Sequence, residues 1–414
     1  MKRHLVAFPR PFEHARQVAV AFAEQGSLSA YATGFVWPET LSGRRVRRIL
    51  ERVGAAGAVA RRTIVDLPRT VVRSFPLIDV GRTAASALRR YGLEDRLWER
   101  DDHRFPRLVA DRLLDGCDVV HGCEHASLEL FDAAHRAGKR TVLHVASLHP
   151  AFHDAMLDRE YARYPELKES VDFELRERRA PRDRRRLAEY ASADLLIVSS
   201  SLSRQLLIEN GIPADRIAIV HLGGPDAPVT VGTPETAGTR GTSALDVLYV
   251  GKVSVAKGCH VLLHAWTTLG SRDARLAMVG RNQLPASVRV PPRVEMLGSL
   301  PHAAVLDLMP QFDVVVLPTL CDSFGAVILE ALQRGVPVIT TANAGAADLV
   351  QEGENGWIVA AGDAEALTER LAWCERHVRS VRAMRAPVRR GSRSRTWPDF
   401  RQEVRDALAQ RGWL

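Results

Sequence analysis

The chain has 414 residues, of which 46% are hydrophobic and 26% are charged, and its formal net charge is +8. This composition is ordinary for a globular protein and excludes a disordered chain, and the length predicts two or three domains. No apolar run approaches the roughly 18 residues that cross a bilayer, and Pro9 interrupts the apolar start, so neither a membrane span nor a signal peptide is expected. The five cysteines are scattered and form no Cys-x-x-Cys pair, which favours reduced thiols in a cytoplasmic protein over disulfides or a zinc site.

Much of the positive charge lies in three arginine-rich clusters, at residues 44–52, 176–186 and 385–395. Such clusters attract nucleic acid, anionic lipid or phosphorylated ligands. Because none is interleaved with the aromatic residues that stack on bases, no nucleic-acid partner is expected. The first cluster also has an apolar side that includes Ile49 and Leu50. Two interpretations stay open for it: a peripheral contact with an anionic membrane, or a surface helix packed on its own domain, which we favour.

The N-terminal half alternates short apolar runs with helical patterns. Strands are predicted at residues 4–8, 118–121, 140–145, 193–198 and 217–220. Strands that are apolar throughout and separated by helices predict a parallel sheet covered on both faces.

Residues 226–244 are rich in Gly, Thr, Pro and Ala and show no periodicity, so they predict a linker after a first domain at 1–225. The pattern then restarts, with strands predicted at 247–250, 275–279, 294–297, 314–317 and 336–340. A second α/β domain is therefore expected at 245–385, followed by a tail at 386–414 that packs back on the first domain. A cleft between two such domains is a usual place for a ligand.

A polar loop with a glycine leads from the predicted strand that ends at Leu317 into a predicted helix near Val327. The carboxyl end of a parallel strand followed by a helix N-terminus is where such sheets bind anions and nucleotides. Gly325 lets the backbone approach a ligand closely, and Glu330, which lies among apolar residues, needs a partner such as ribose hydroxyls. The spacing alone equally allows a helix-capping Asp322 and a salt-bridged Glu330.

Upstream, a glycine-flanked loop begins at Gly251, directly after a predicted strand. It carries two cationic residues five positions apart, Lys252 and Lys257. Both ammonium groups can reach one diphosphate. Surface lysines near glycines are common, so this pair alone is weak evidence for a diphosphate site. Gly280 and Arg281 follow the next predicted strand. They form either a turn that contacts the ligand or a turn with only a structural role.

In this order the two segments resemble the retaining GT-B glycosyltransferases (glycosyl transferases group 1, family 4-like). The family usually has Glu-x-Phe-Gly, four more residues, then Glu-Ala. Here Asp322 replaces the first Glu, Phe324, Gly325 and Glu330 match, and Lys252 replaces a usual Arg. The resemblance is specific over 245–360, loose over 118–222 and absent over 36–110. It implies the GT-B fold, with two Rossmann-like doubly wound α/β domains facing across a cleft.

The resemblance also implies a metal-independent hexosyltransferase without a bound cofactor, which takes a hexose from a nucleoside diphosphate sugar with retention at the anomeric carbon. Lys252 and Lys257 would contact the diphosphate, Asp322 the sugar and Glu330 the ribose. The remaining donor-site residues that it implies are Gly251, Gly280, Arg281, Ser323, Phe324 and Gly325.

The acceptor stays open between a glycan, a lipid-linked molecule and a small molecule. A cytoplasmic location is expected, and a lipid-linked acceptor would fit a protein that is peripheral at the inner membrane face. His149 lies where many members of the family keep an active-site histidine, although a lone histidine beside a strand is more often structural; His121, His144 and His153 are alternatives. Two rival functions are a non-catalytic nucleotide-sugar-binding protein, which the Lys252 and Asp322 replacements would suit, and a nucleotide-sugar epimerase.

Overall fold

The computed structural model describes residues 1–37, 62, 64, 66–78, 81, 91–170, 173, 176–225, 244–391 and 395–414. The predicted basic helix at 44–52 and nearly all of the predicted linker at 226–244 lie outside the described residues. Among the helices that are described, none is long and apolar enough to cross a lipid bilayer.

Seven strands of the described residues form the sheet of the N-terminal domain. They are β1 (His4–Ala7), β2 (Leu28–Thr33), β3 (Val72–Ser74), β4 (Val119–Cys123), β5 (Arg140–Val145), β6 (Leu195–Val198) and β7 (Ile217–Ile219). Every neighbouring pair is parallel, and the order across the sheet is β3-β2-β1-β4-β5-β6-β7. The helices of this domain are α1 (Glu13–Ala23), α2 (Tyr91–Leu113), α3 (Leu128–Arg136), α4 (Pro150–Arg163), α5 (Arg176–Ser192) and α6 (Ser201–Glu209).

This sheet is buried on both faces because successive side chains of a strand point to opposite sides. In β1, Leu5 and Ala7 belong to one buried cluster and Val6 belongs to the other. The apolar run at the start of the chain is therefore a central strand, as its sequence predicts. Sequence reasoning missed β2, in which Ser29 interrupts the apolar pattern, and β3, which is only 3 residues long.

The C-terminal domain repeats this plan with six parallel strands in the described residues. They are β8 (Asp246–Val250), β9 (Arg275–Val279), β10 (Val294–Gly298), β11 (Val314–Leu317), β12 (Val338–Thr341) and β13 (Gly356–Val359), in the order β10-β9-β8-β11-β12-β13. Its helices are α7 (Cys259–Leu269), α8 (His302–Leu308), α9 (Ala326–Gln333), α10 (Ala364–Arg376), α11 (Val378–Ala383) and α12 (Arg385–Gly391).

In both sheets the strand order reverses beside the first strand, between β1 and β4 and between β8 and β11. This is the doubly wound, Rossmann-like arrangement, in which ligands bind at the carboxyl ends of the strands near the reversal. The predicted fold class of two doubly wound α/β domains is confirmed.

The C-terminal segment runs from one domain to the other. Val388 of α12 is buried in the core of the C-terminal domain, so α12 packs with this domain. Helix α13 (Trp397–Ala409) lies on the N-terminal domain, where Phe400 and Val404 join its core. Arg405 Nη1 lies 2.9 Å from Oε2 of Glu24, the residue directly after α1.

Candidate functional site

Three loops of the C-terminal domain meet at the carboxyl ends of β8, β9 and β11. The loop after β8 touches the loop after β9, because the Val253 amide donates to the Arg281 carbonyl at 3.0 Å. It touches the loop after β11 as well, because the Leu320 amide donates to the Ala256 carbonyl at 3.0 Å. The structure therefore brings together the three segments in which the sequence predicts a ligand site.

The glycines of these loops are required by close backbone contact. Gly280 has φ of +145°, and a Cβ on it would lie 1.7 Å from the Gly251 carbonyl oxygen. Gly258 has φ of +67°, and its Cβ would lie 1.9 Å from the Pro318 carbonyl oxygen. No other residue fits these positions without moving a loop, so the glycines keep the three loops in contact.

The sequence-predicted site residues Lys257 and Asp322 form an ion pair between two of these loops. Lys257 Nζ lies 2.5 Å from Asp322 Oδ2, and the two side chains are 26% and 16% exposed. Asp322 Oδ1 also accepts a hydrogen bond from the Phe324 amide at 3.3 Å. The residue at the N-cap of α9 is Gly325, with φ of +81°, so Asp322 fixes the loop and orients a lysine but does not itself occupy the capping position.

Lys252 lies in the same loop as Lys257, with an exposed side chain. The Tyr249 hydroxyl donates a hydrogen bond to its backbone carbonyl oxygen at 2.6 Å, which fixes the backbone at this position. An exposed ammonium on a fixed backbone remains available to an anionic ligand, as the sequence predicts.

Glu330 pairs with a histidine that sequence reasoning missed. His302 Nε2 lies 2.9 Å from Glu330 Oε1, with the histidine side chain 64% exposed and the glutamate 20% exposed. The hydrogen bond with Glu330 raises the pKa of His302 above its ordinary value. Glu330 therefore has a partner within the protein, and its contact with ribose stays a prediction. No local pattern identifies His302, because the contact joins α8 to α9 across 28 residues of sequence.

Ser323 joins the two domains. Its hydroxyl donates to the Ala146 carbonyl after β5 at 2.5 Å. The hydroxyls of Ser199 and Ser200, which follow β6, donate to the Ser323 carbonyl at 3.1 and 3.0 Å. The loop after β11 that contains Asp322 and Ser323, which we call the acidic loop, therefore lies at the domain boundary and faces the carboxyl ends of the N-terminal strands.

Two further polar contacts cross the boundary. Asp348 Oδ2 accepts from the Ser201 amide at 2.7 Å and lies 2.9 Å from His221 Nε2. On the other side, His260 Nε2 in the first turn of α7 lies 2.7 Å from Glu160 Oε2 on α4, and both side chains are buried. These contacts fix the two domains against each other beside the loop after β8, which carries Lys252 and Lys257.

A cavity of about 60 Å³ lies at this boundary next to the acidic loop. Its lining includes His14, His144, Ser199, Ser323 and Phe324. The lining is otherwise apolar, and burial lowers the pKa of His14 to about 4 and that of His144 to about 3. Both rings are therefore neutral near pH 7, so they offer hydrogen bonds without charge.

His144 is the last member of a row of buried imidazoles that crosses three strands, which we call the histidine file (His4, His121 and His144). His4 Nδ1 lies 3.1 Å from His121 Nε2, and His121 Nδ1 lies 3.2 Å from His144 Nε2. Burial lowers the pKa of all three rings. Of these residues, the sequence analysis considered His121 and His144 as catalytic alternatives and missed His4.

His149 has a structural contact of its own. It is the N-cap of α4, where its Nδ1 accepts a hydrogen bond from the Ala151 amide at 3.3 Å. The side chain is buried, and this burial lowers its pKa. The predicted catalytic role of His149 remains a prediction. The alternative His153 lies on the same helix, 3.6 Å from the carboxylate of its neighbour Asp154.

Three arginines of the second basic cluster contact other residues of the N-terminal domain. Arg185 pairs with Glu129 and Arg186 Nη2 lies 3.2 Å from Asp183 Oδ1. The guanidinium of Arg182 lies 4.8 Å from the centre of the Trp98 ring. These three arginines therefore stabilise the fold instead of forming a free basic surface.

Comparison with known proteins assigns the domain that carries this geometry. Residues 244–376 match the family model described as Glycosyl transferases group 1. The match covers both lysines, Asp322 and Glu330, so the resemblance to group 1 is confirmed for the C-terminal domain.

The chain is also similar to curated glycosyltransferases. WcaL of Escherichia coli strain K12, which is assigned as a colanic acid biosynthesis glycosyltransferase, is 27% identical over 231 residues (52% of this chain, 55% of the relative). The amylovoran biosynthesis glycosyltransferase AmsK of Erwinia amylovora is 24% identical over 234 residues (52% and 54%). The D-inositol 3-phosphate glycosyltransferase of Corynebacterium urealyticum is 30% identical over 205 residues (44% and 48%). The chain thus spans about half the length of the curated relatives it matches.

Solved structures resemble the whole chain. Anabaena Alr3699/HepE in complex with UDP gives a TM-score of 0.60 at 16% identity and covers 99% of this chain and 100% of its own. Sucrose-phosphate synthase from Thermosynechococcus elongatus gives 0.64 at 16% identity and covers 99% of each chain. At such identities the likeness establishes the fold alone, and the predicted GT-B fold is confirmed.

Proposed function

We propose that the protein is a retaining, metal-independent hexosyltransferase that uses a nucleoside diphosphate sugar as donor. The observation that carries the proposal is the Lys257–Asp322 pair, which lies at 2.5 Å between glycine-fixed loops at the domain boundary. It is supported by the group 1 match over the same domain, by relatives that are glycosyltransferases, and by a structural neighbour that binds UDP and UDP-glucose.

The main demand of this reaction is to stabilise negative charge on the departing diphosphate. Lys257 and Lys252 lie in one loop and can provide positive charge there, and the free amides at the start of α9 can add hydrogen bonds. Protein cations would thus do the work that a divalent metal does elsewhere. Asp322 keeps Lys257 directed across the loops and offers its second oxygen to a sugar hydroxyl.

In the proposed step, the oxygen of an acceptor hydroxyl forms a bond to the anomeric carbon on the face from which the diphosphate leaves. The bond from the anomeric carbon to the phosphate oxygen breaks, and the acceptor proton passes to that leaving phosphate. Retention then needs no second carboxylate as nucleophile, in contrast to the paired carboxylates of retaining glycosidases. His149 can bind the acceptor or the sugar from the N-terminal side.

The experiment tests a panel of uridine, guanosine, adenosine and thymidine diphosphate sugars in the presence of EDTA. The release of nucleoside diphosphate is measured with and without candidate glycan, polyol and lipid-linked acceptors. Lys257→Ala should lower turnover by about 10²-fold, the usual effect of removing one group that stabilises a leaving anion. Lys168→Ala, at an exposed lysine of the N-terminal domain, serves as the matched control and should leave turnover unchanged.

The rival functions give different results in the same panel. A non-catalytic binding protein would bind a sugar nucleotide without releasing diphosphate, and Lys257→Ala would change affinity alone. An epimerase would return a sugar nucleotide of altered configuration. Sedimentation with vesicles, with and without anionic lipid, separates a lipid-linked acceptor at a membrane surface from a dissolved one.

A further inference from the structure

We infer that His302 is a positioning residue of the donor site, which holds the Glu330 carboxylate for the ribose and makes donor affinity depend on pH. This inference rests on the proposed function, because it takes Glu330 as the group that meets the ribose. His302 lies outside every segment that pointed to the site in the sequence. Its contact with Glu330, 2.9 Å between Nε2 and Oε1, is the observation that introduces it.

Glu330 is in a place where it needs such a partner. It lies on α9 between Leu329 and Ala331, which are 3% and 0% exposed, while its own side chain is 20% exposed. Within the described residues, the imidazole of His302 is the partner of this carboxylate. The contact restrains a flexible side chain that otherwise samples several rotamers.

The contact leaves hydrogen-bonding capacity for a ligand. An ionised carboxylate has about four acceptor positions on two oxygens, and His302 uses one of them on Oε1. The second oxygen can accept from the adjacent hydroxyls of a ribose. Because the restraint exists before the ligand arrives, binding does not have to order the glutamate, and affinity increases accordingly.

The same contact introduces a titration. The charged groups that act on His302 are Glu330, which favours the imidazolium, and Arg334, which opposes it, and the hydrogen bond with Glu330 prevails in raising the pKa. Below that pKa the ring adds a positive charge beside the site of an anionic ligand. Above it the neutral ring keeps the Nε2–H hydrogen bond but loses the charge, so donor affinity should fall as the pH rises through the pKa of His302.

The test is calorimetric titration of the sugar nucleotide that the panel selects, between pH 6 and pH 8. A sugar nucleotide is suitable because it lacks the terminal phosphate whose second ionisation, with pKa of about 6, would add its own pH dependence. The proteins are the wild type, His302→Ala, His302→Gln, Glu330→Gln and the double variant. His264→Gln, at another exposed histidine on α7, is the matched control.

We expect His302→Ala to weaken binding about fivefold, the size of one typical hydrogen bond. His302→Gln, which keeps a donor, should restore wild-type affinity at pH 8 and show no change between pH 6 and pH 8. The wild type and His264→Gln should bind more tightly at pH 6. At pH 8, where the ring of His302 is neutral and acts through Glu330 alone, His302→Ala should add no loss to Glu330→Gln.

The outcomes separate this inference from the proposed function. If the wild type binds no sugar nucleotide, both fail together. If the wild type binds and Lys257→Ala weakens binding, but the His302 variants match the wild type at both pH values, the inference about His302 alone is overturned. An additive loss in the double variant at pH 8 would overturn it as well, because the neutral ring of His302 would then not act through Glu330.

Discussion

The His4→Phe substitution should make the N-terminal domain less sensitive to acid. His4 is fully buried at one end of the histidine file, and its ring stacks on Phe22 with centroids 3.9 Å apart. A phenylalanine keeps that stacking and removes one titrating group. Burial lowers the pKa of His4 to about 4, so this ring stays neutral in the folded protein under mildly acid conditions.

The sign follows from proton uptake. In the unfolded chain the ring takes a proton near pH 6.5, whereas in the folded domain it does so only near pH 4. Between these values the unfolded state binds more protons, so the stability that His4 contributes is present above pH 6.5 and is lost as the pH falls. At pH 5 the loss is about 2 kcal/mol, from roughly 1.5 pH units at about 1.4 kcal/mol each.

Other groups of the same domain titrate in the opposite direction. Burial raises the pKa of Asp102 to about 6 and that of Glu189 to about 8, so their protonation stabilises the folded state as the pH falls. The informative quantity is therefore the difference between variant and wild type. The change in the free energy of unfolding from pH 7 to pH 5 should be more favourable in His4→Phe by about 2 kcal/mol.

Hydrogen exchange measures this difference strand by strand. Amides of β1, β4 and β5 report on the N-terminal domain, and those of β8 and β11, which contain no histidine, serve as the internal control. Exchange rates corrected for the intrinsic effect of pH give the free energy of opening at each pH. Equal changes from pH 7 to pH 5 in wild type and variant would refute the reasoning.

Three further predictions concern the site. Gly280→Ala should prevent stable folding of the C-terminal domain, because its Cβ would lie 1.7 Å from a carbonyl oxygen, and its cooperative unfolding transition should be lost. The control Gly298→Ala, whose Cβ would have nothing within 4 Å, should lower the free energy of unfolding by only about 1 kcal/mol. Equal effects of the two substitutions would contradict this. His149→Asn should keep the stability that His149→Ala loses, about 1 kcal/mol, because asparagine is a good N-cap. If His149 is catalytic, both variants lose turnover, and full turnover in His149→Asn would limit it to capping. Asp322→Asn should release Lys257 from its ion pair, so that calorimetry shows several-fold tighter binding of nucleoside diphosphate while turnover of the sugar nucleotide falls; weaker binding would contradict this account of the pair.

The sequence predicted the parts of the fold that rest on local pattern. Apolar runs such as the one from Leu5 to Ala7 are long enough and uniform enough to identify central strands of a parallel sheet. The short strand β3 has no such pattern, since it is only 3 residues long and partly exposed, and it was missed. Likewise the loop glycines were predictable as turn residues, but the clash that makes Gly280 necessary depends on another loop.

The candidate site divides in the same way. The sequence predicts Lys257, Asp322 and Glu330 as site residues through their order in the chain and the resemblance to the family, but it does not predict which residues they contact. The Lys257–Asp322 contact joins residues 65 apart in the chain, and the contacts of Ser323 with the other domain span more than 120. Such pairs depend on how strands are ordered and how the domains meet, which no short pattern contains. The same is true of the histidine file. Its three histidines lie in a row because β1, β4 and β5 are neighbours in the sheet, although they are far apart in the sequence.

Proton NMR of the wild-type protein with its sugar nucleotide and EDTA provides the most direct test of the proposed reaction. Water can serve as the acceptor, and spectra recorded before the free sugar equilibrates report the configuration at the anomeric carbon. We expect release of nucleoside diphosphate and a first-formed sugar with the anomeric configuration of the donor, both about 10²-fold slower in Lys257→Ala. A first-formed sugar of inverted configuration, an epimerised sugar nucleotide, or release that requires a divalent metal would contradict retaining, metal-independent transfer.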